Sequence, residues 1–137
     1  VFVEIFANKT SEANFENQVR AAFVDQIIRG TRFKLADSKE TADAVLRGSI
    51  EGLSSSPLSY RATNLAAEER LTALLNITLE DRNSGKAVWT GSGLAGTADY
   101  TVDPANPTVT QTNRRNNLNK LANDTAEKAY RLMMSGF

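Results

Sequence analysis

Five apolar side chains recur at every second position in the middle of the chain. Leu71, Ala73, Leu75, Ile77 and Leu79 share one face of an extended segment, and Arg70, Thr72, Asn76, Thr78 and Glu80 share the other. Successive strand side chains point to opposite faces, so this period of two predicts a strand over residues 69–81 with one buried face. A strand over 44–53 precedes it, with a polar loop over 54–68 between the two. The turn Arg82-Asn83-Ser84-Gly85 leads into a third strand through Trp89. Gly91, Gly93 and Gly96 continue it towards Tyr100, and that many glycines predict a bulged or bent strand end.

The flanks carry the other period. Val1, Val3 and Ile5 lie on one face of an opening strand, 1–6, and Phe2 and Phe6 make the other face apolar as well, which places it inside a sheet. Asn8-Lys9-Thr10-Ser11 reads as a turn, with Thr10 or Ser11 as helix N-cap. Phe15, Val19, Ala22, Phe23 and Ile27 form one apolar stripe on a helix that runs to Arg29, where Gly30 occupies the C-terminal glycine position. A short strand is expected over 32–36, with Phe33 and Leu35 on one side, then a polar connection over 37–41. Residues 101–110, with Pro104 and Pro107, read as a loop. A last helix is expected over 112–134. Leu118, Leu121, Ala122, Thr125, Ala129, Leu132 and Met133 are on its apolar face, and Lys120, Asp124, Glu127, Lys128 and Arg131 are on its wet face. Each helix has one stripe to bury. The simplest arrangement is an α+β two-layer sandwich, with two helices packed on one face of a mainly antiparallel four-stranded sheet, in the order β-α-(short β)-β-β-β-α. The length of 137 residues predicts a single domain over 1–137.

Composition narrows the chemistry. Sixteen basic residues balance sixteen acidic ones, which argues against a nucleic-acid partner. There is no His and no Cys, which excludes most zinc sites, Ser-His-Asp triads, Cys nucleophiles and disulfides. No apolar run approaches the ~20 residues of a membrane helix. The chain opens directly on a strand, with no signal peptide, so an N-terminal segment is expected to have been removed.

Asp25, Asp43, Asp81, Asp99 and Asp124 are scattered over different elements, whereas a glycosidase-like pair needs two close carboxyls. Asp81 fits a turn that its side chain closes by hydrogen bonding. The glycines at 91, 93 and 96 do not open a helix after a strand, as a dinucleotide loop must. No enzymatic site, metal or cofactor is expected. Trp89, Phe23 and Phe33 read as core. Two basic features stand out. Arg61, beside Tyr60, lies in the long 54–68 loop, and a loop longer than a hairpin requires raises the prior for function. Arg114 and Arg115 fall in the expected first turn of the last helix, where cations oppose the helix dipole. That placement fits either a waiting anion or plain solvation, and the forked guanidinium suits phosphate.

Several segments, taken in order, resemble one family. They are Asn8-Lys9-Thr10 after the opening strand, the first helix from Glu16-Asn17-Gln18-Val19 to Ile28, Gly30-Thr31-Arg32-Phe33-Lys34-Leu35, and Ala42-Asp43-Ala44-Val45-Leu46-Arg47-Gly48-Ser49-Ile50. Ser56-Pro57-Leu58-Ser59-Tyr60, Glu69-Arg70-Leu71, Asp81-Arg82 with Gly85, Val88-Trp89 and the closing helix complete the set. The chain is similar in these to the LptE family, lipopolysaccharide-assembly lipoproteins of Gram-negative outer membranes. The resemblance implies a noncatalytic protein, held by an N-terminal lipid anchor at the periplasmic side of the outer membrane. It further implies a plug that sits inside the LptD β-barrel, supports its assembly and binds lipopolysaccharide. The anchoring Cys would precede Val1. A basic residue that the family uses for lipopolysaccharide contact falls by loop position on Arg61, and the basic character expected near the start of the last helix falls on Arg114 and Arg115. The alternative is a generic periplasmic envelope lipoprotein adaptor that binds another protein or a secretion pore.

Overall fold

The computed structural model describes residues 1–60 and 66–136 of the chain. Three long antiparallel strands form the frame: β3 (Ala44–Tyr60), β4 (Ala66–Asp81) and β5 (Ala87–Thr101). Two short strands, β1 (Phe2–Val3) and β2 (Ala7–Asn8), join the outer edge of β3 in parallel. The helices are α1 (Phe15–Arg29) and α2 (Pro107–Ser135). The sheet order is β1-β3-β4-β5, with β2 further along the same edge of β3. This is the expected α+β layering with five strands rather than four.

The alternation in β4 is realised along its whole length. Leu71, Ala73, Leu75, Ile77 and Leu79 are all buried beneath the helices. From the other layer, α1 buries Phe15, Val19, Ala22, Phe23 and Ile27, and α2 buries Leu118, Leu121, Ala122, Ala126, Ala129 and Met133. Leu132, expected on the apolar face of α2, is instead exposed. The long helix lies over β5 and β4, and α1 packs beside it next to β1 and β2. Trp89 and Phe33 are partly buried at the margin of this core, and Phe23 is at its centre.

Several local expectations give way. The opening strand is not inside the sheet: it is an edge element that breaks in two, with Ile5 exposed and Phe6 buried. Phe6 stacks on Phe23 at 5.3 Å. It can do so because a Cβ on Gly48 would fall 2.6 Å from the Phe6 ring. Residues 32–36 form no strand. Instead the Val1 amino group donates to the Lys34 carbonyl (2.6 Å) and the Ala36 N–H donates to the Val1 carbonyl (2.7 Å).

The supposed loop 54–68 is largely ladder. Ser54 pairs with Thr72, Ser55 with Leu71, Ser56 with Arg70 and Pro57 with Glu69. Among the described residues β3 has no outer neighbour beyond Ile50, and a proline lacking its N–H is accommodated on such an edge. The last helix also starts earlier, at Pro107, because a proline in the first turn gives up an N–H that has no helical partner anyway.

Caps and turns follow from named side chains. The Asn8 carboxamide oxygen accepts from the Thr10 N–H and hydroxyl, and the Thr10 hydroxyl oxygen accepts from the Glu12 N–H. Thr10 therefore closes the turn, and Asn14 takes the N-cap position expected of Thr10 or Ser11. Gly30 ends α1 in extended backbone, and its missing side chain leaves room for the Tyr130 hydroxyl. Asp81 closes the β4–β5 turn as expected, accepting from the Asn83 N–H and the Ser84 hydroxyl. The glycine-rich strand carries a bulge between the Leu75–Leu94 and Ile77–Gly91 pairs. Gly93 supplies the positive φ of 62° there, and its N–H donates to the Asn76 carboxamide.

Candidate functional site

The basic residues singled out in the sequence meet different fates. Arg61 lies outside the described residues. Arg114 and Arg115 are not in the first turn of α2, since that helix begins at Pro107, about two turns earlier. The opposition to the helix dipole therefore does not arise. Arg114 reaches back to the turn before α1, and its Nη2 donates to Glu12 Oε1 at 2.7 Å. That hydrogen bond raises the Arg114 pKa, with burial opposing it and the Glu12 charge adding to it. Beside it the Tyr100 hydroxyl donates to Glu69 Oε2 at 2.8 Å. Burial first, and then this carboxylate, push the Tyr100 phenol up to about 12. Arg115 is exposed and forms no ion pair among the described residues. With Glu12, Gln111, Arg114 and Leu118 it lines a cavity of about 350 Å³. The structure thus brings Arg114, paired with Glu12, and the exposed Arg115 to one cavity.

A second surface was not legible as a site. The face of the sheet away from the helices carries rows of cross-strand neighbours: Gly52–Leu74–Ala95, Ser54–Thr72–Thr97 and Ser56–Arg70–Asp99. These rows exist because of a bulge at Glu51. Before it Leu46, Gly48 and Ile50 oppose core residues of β4, and after it Leu53 and Ser55 do. One extra residue exchanges the faces of everything downstream. The only sequence signal was the polar half of the β4 alternation, which says that a face is wet and not what crosses it.

Several charges on this face are matched in pairs, and Glu68 at its end takes, among the described residues, only the Ser59 hydroxyl, at 3.5 Å. Arg70 clasps both oxygens of Asp99, at 2.8 and 3.2 Å, which holds the Asp99 carboxyl below its usual range. Lys9 donates to Glu51, and with Ser49 and Asn76 depresses that carboxyl too. Arg47 sits between Glu80 and Glu4, at 3.4 and 3.8 Å, with its buried Nε outside hydrogen-bonding geometry to either. The outer edge of β5 is also occupied. Asn113, Asn117 and Lys128 of α2 donate to the carbonyls of Thr101, Ala98 and Ala95. Capping a terminal strand in this way obstructs edge-to-edge association.

Among the described residues no three acidic side chains are grouped to hold a metal ion. Among them, too, no helix is long and apolar enough to cross a membrane.

Comparison with known proteins adds what geometry alone does not. The model of a family described as LptE, lipopolysaccharide-assembly, matches residues 1–133. Among solved structures, the rare lipoprotein B of Shewanella oneidensis superposes with a TM-score of 0.61 at 18% identity, covering 98% of this chain and 95% of that one. A minor lipoprotein of Acinetobacter baumannii gives a TM-score of 0.56 at 15% identity, covering 95% and 87%. At these identities the likeness is one of fold. No curated protein matches the chain.

Proposed function

The chain belongs to the LptE family of lipopolysaccharide assembly, and we propose that it acts as the noncatalytic lipoprotein that plugs and braces the LptD β-barrel at the periplasmic side of the outer membrane. The observation that carries this reading is the family match over nearly the whole chain. The fold supports it. One core shared by a long sheet and two helices makes a rigid body, and rigidity is what a brace inside a barrel requires.

Lipopolysaccharide contact is assigned to the basic residues Arg61, Arg114 and Arg115. A phosphate of lipid A would meet Arg115 at the cavity beside α2, with Arg114 anchored by Glu12 as its neighbour. The balanced net charge predicts a local contact rather than a broad electrostatic field.

Co-purification of the full-length lipoprotein with its cognate LptD tests the plug. A stable complex is expected, and its absence under conditions that retain other barrel partners overturns the reading. Binding of purified lipopolysaccharide to Arg61→Glu and Arg115→Glu tests the contact. Each substitution is expected to weaken binding about tenfold, the scale of one lost charge-assisted hydrogen bond. Unchanged binding removes that residue from the site.

A further inference from the structure

One carboxamide lies between two interruptions of the sheet. β3 carries its extra residue, Glu51, between the Ile50–Leu75 and Gly52–Leu74 pairs. β5 carries its own between the Leu75–Leu94 and Ile77–Gly91 pairs. Both bulges therefore flank one short stretch of β4, which runs between them unbroken. The Asn76 side chain reaches both. Its Nδ2 donates to Glu51 Oε1 at 2.8 Å, and its Oδ1 accepts from the Gly93 N–H at 2.8 Å. We infer that Asn76 couples the two bulges into a single latch across the sheet, so that they form and open together.

The coupling follows from what each partner can and cannot do. An ionised carboxylate only accepts hydrogen bonds, and a backbone N–H only donates. With Glu51 on one side and Gly93 on the other, one orientation of the Asn76 carboxamide satisfies both. Turned over, it would present its oxygen to the Glu51 carboxylate and its NH2 to the Gly93 N–H, and both contacts would set like against like. Glu51 thus decides which end of Asn76 meets Gly93, although the two residues are on strands that do not pair with each other.

Both ends of the latch are fixed. Glu51 Oε1 also accepts from Ser49 Oγ at 2.9 Å and from Lys9 Nζ at 3.0 Å. Lys9 is brought there by its own N–H, which donates to the Ile50 carbonyl at 3.1 Å. The pairing of β2 with β3 ends at Asn8–Ile50, so the latch stands where the edge support of β3 stops. At the other end a Cβ on Gly93 would meet nothing within 4 Å. Glycine is there for its positive φ of 62° and not for room, and the bond to Asn76 holds that backbone in place. Beyond the bulge α2 packs on Gly96 and caps the Ala98 carbonyl, which confines any opening to the bulges themselves. What the latch secures is the exchange of faces at Glu51, on which every side chain further along β3 depends.

The test is amide hydrogen exchange, read by NMR on the isotope-labelled chain, with Gly85 as internal control. Gly85 also has a positive φ, 71°, and its N–H donates to the Asp81 carbonyl, but it belongs to the β4–β5 turn, away from the latch. Glu51→Ala is expected to speed exchange at Gly93 about fivefold, the scale of one lost hydrogen bond, and to leave Gly85 unchanged. Glu51→Gln keeps an acceptor oxygen and is expected to retain most of the protection. Asn76→Asp keeps the acceptor for Gly93 and loses the donor to Glu51, so in that background Glu51→Ala is expected to speed Gly93 no further. Unchanged exchange at Gly93 in Glu51→Ala overturns the inference. So does an undiminished effect of Glu51→Ala in the Asn76→Asp background, because the link would then bypass Asn76. If Glu51→Ala does not fold, the decision passes to Glu51→Thr, which suits a strand and whose shorter side chain stops short of Asn76.

Discussion

Glu12 and Arg114 are 102 positions apart in the sequence and 2.7 Å apart in the fold. Their contact pins the turn before α1 to the body of α2, so the two helices are joined by charge as well as by packing. Side-chain exposures of 38% for Arg114 and 26% for Glu12 keep the interaction modest. Arg114→Ala and Glu12→Ala are each expected to cost about 1 kcal/mol in urea unfolding, and the double variant less than the sum. Strict additivity would show that the pair is not coupled.

Tyr100 gives the fold an alkaline limit. Its phenol is held up to about 12, against an ordinary value of 10.0. Between these values the unfolded chain has released a proton that the folded chain keeps, so stability falls as pH rises through that window and is untouched below it. Phenylalanine at this position removes that drop and costs about 1 kcal/mol at neutral pH through the lost bond to Glu69. Ultraviolet titration of the phenols, with Tyr100→Phe as the blank, measures the shift. A Tyr100 that ionises at the ordinary value refutes it.

Gly96 is present because α2 comes close. A Cβ on it would meet the Thr125 side chain, which is itself buried and hydrogen-bonded to the Leu121 carbonyl. Gly96→Ala is expected to cost about 1–3 kcal/mol through overpacking. Thr125→Ala in the same background is expected to recover part of that loss. If no stability returns, the cost of Gly96→Ala lies in the backbone and not in this contact.

Asn117 is buried against the outermost strand, its amide on the Ala98 carbonyl at 2.9 Å. Asn117→Leu keeps the volume and removes the donor. A loss of about 1–3 kcal/mol is expected, with faster hydrogen exchange confined to β5 and its neighbour on β4. Uniform protection along β5 would count against a capping role.

Leu75, fully buried at the centre of the alternation, is the plainest core test. Leu75→Ala is expected to lower stability by about 2–5 kcal/mol without altering the fold. A smaller effect would mean that the two layers are less tightly packed than their burial indicates.

Periodicity alone determined the two layers of this protein. The alternation from Leu71 to Leu79 and the stripes from Phe15 to Ile27 and from Leu118 to Met133 each specify one buried face, and few arrangements bury all three. The ordered local motifs also carried the family. What the sequence could not decide was anything set by a residue's neighbour across the fold. The run Ser54-Ser55-Ser56-Pro57 looks like loop, because its polarity and proline are those of a loop. It is strand because β4 supplies a ladder on one side and, among the described residues, no strand pairs with it on the other. Arg114 and Arg115 look alike, yet only the fold gives Arg114 to Glu12 and leaves Arg115 exposed. The face that carries Leu74 was invisible for the same reason. Its rows depend on register, and register depends on a single bulged residue, Glu51, whose effect is felt only once the strands are paired.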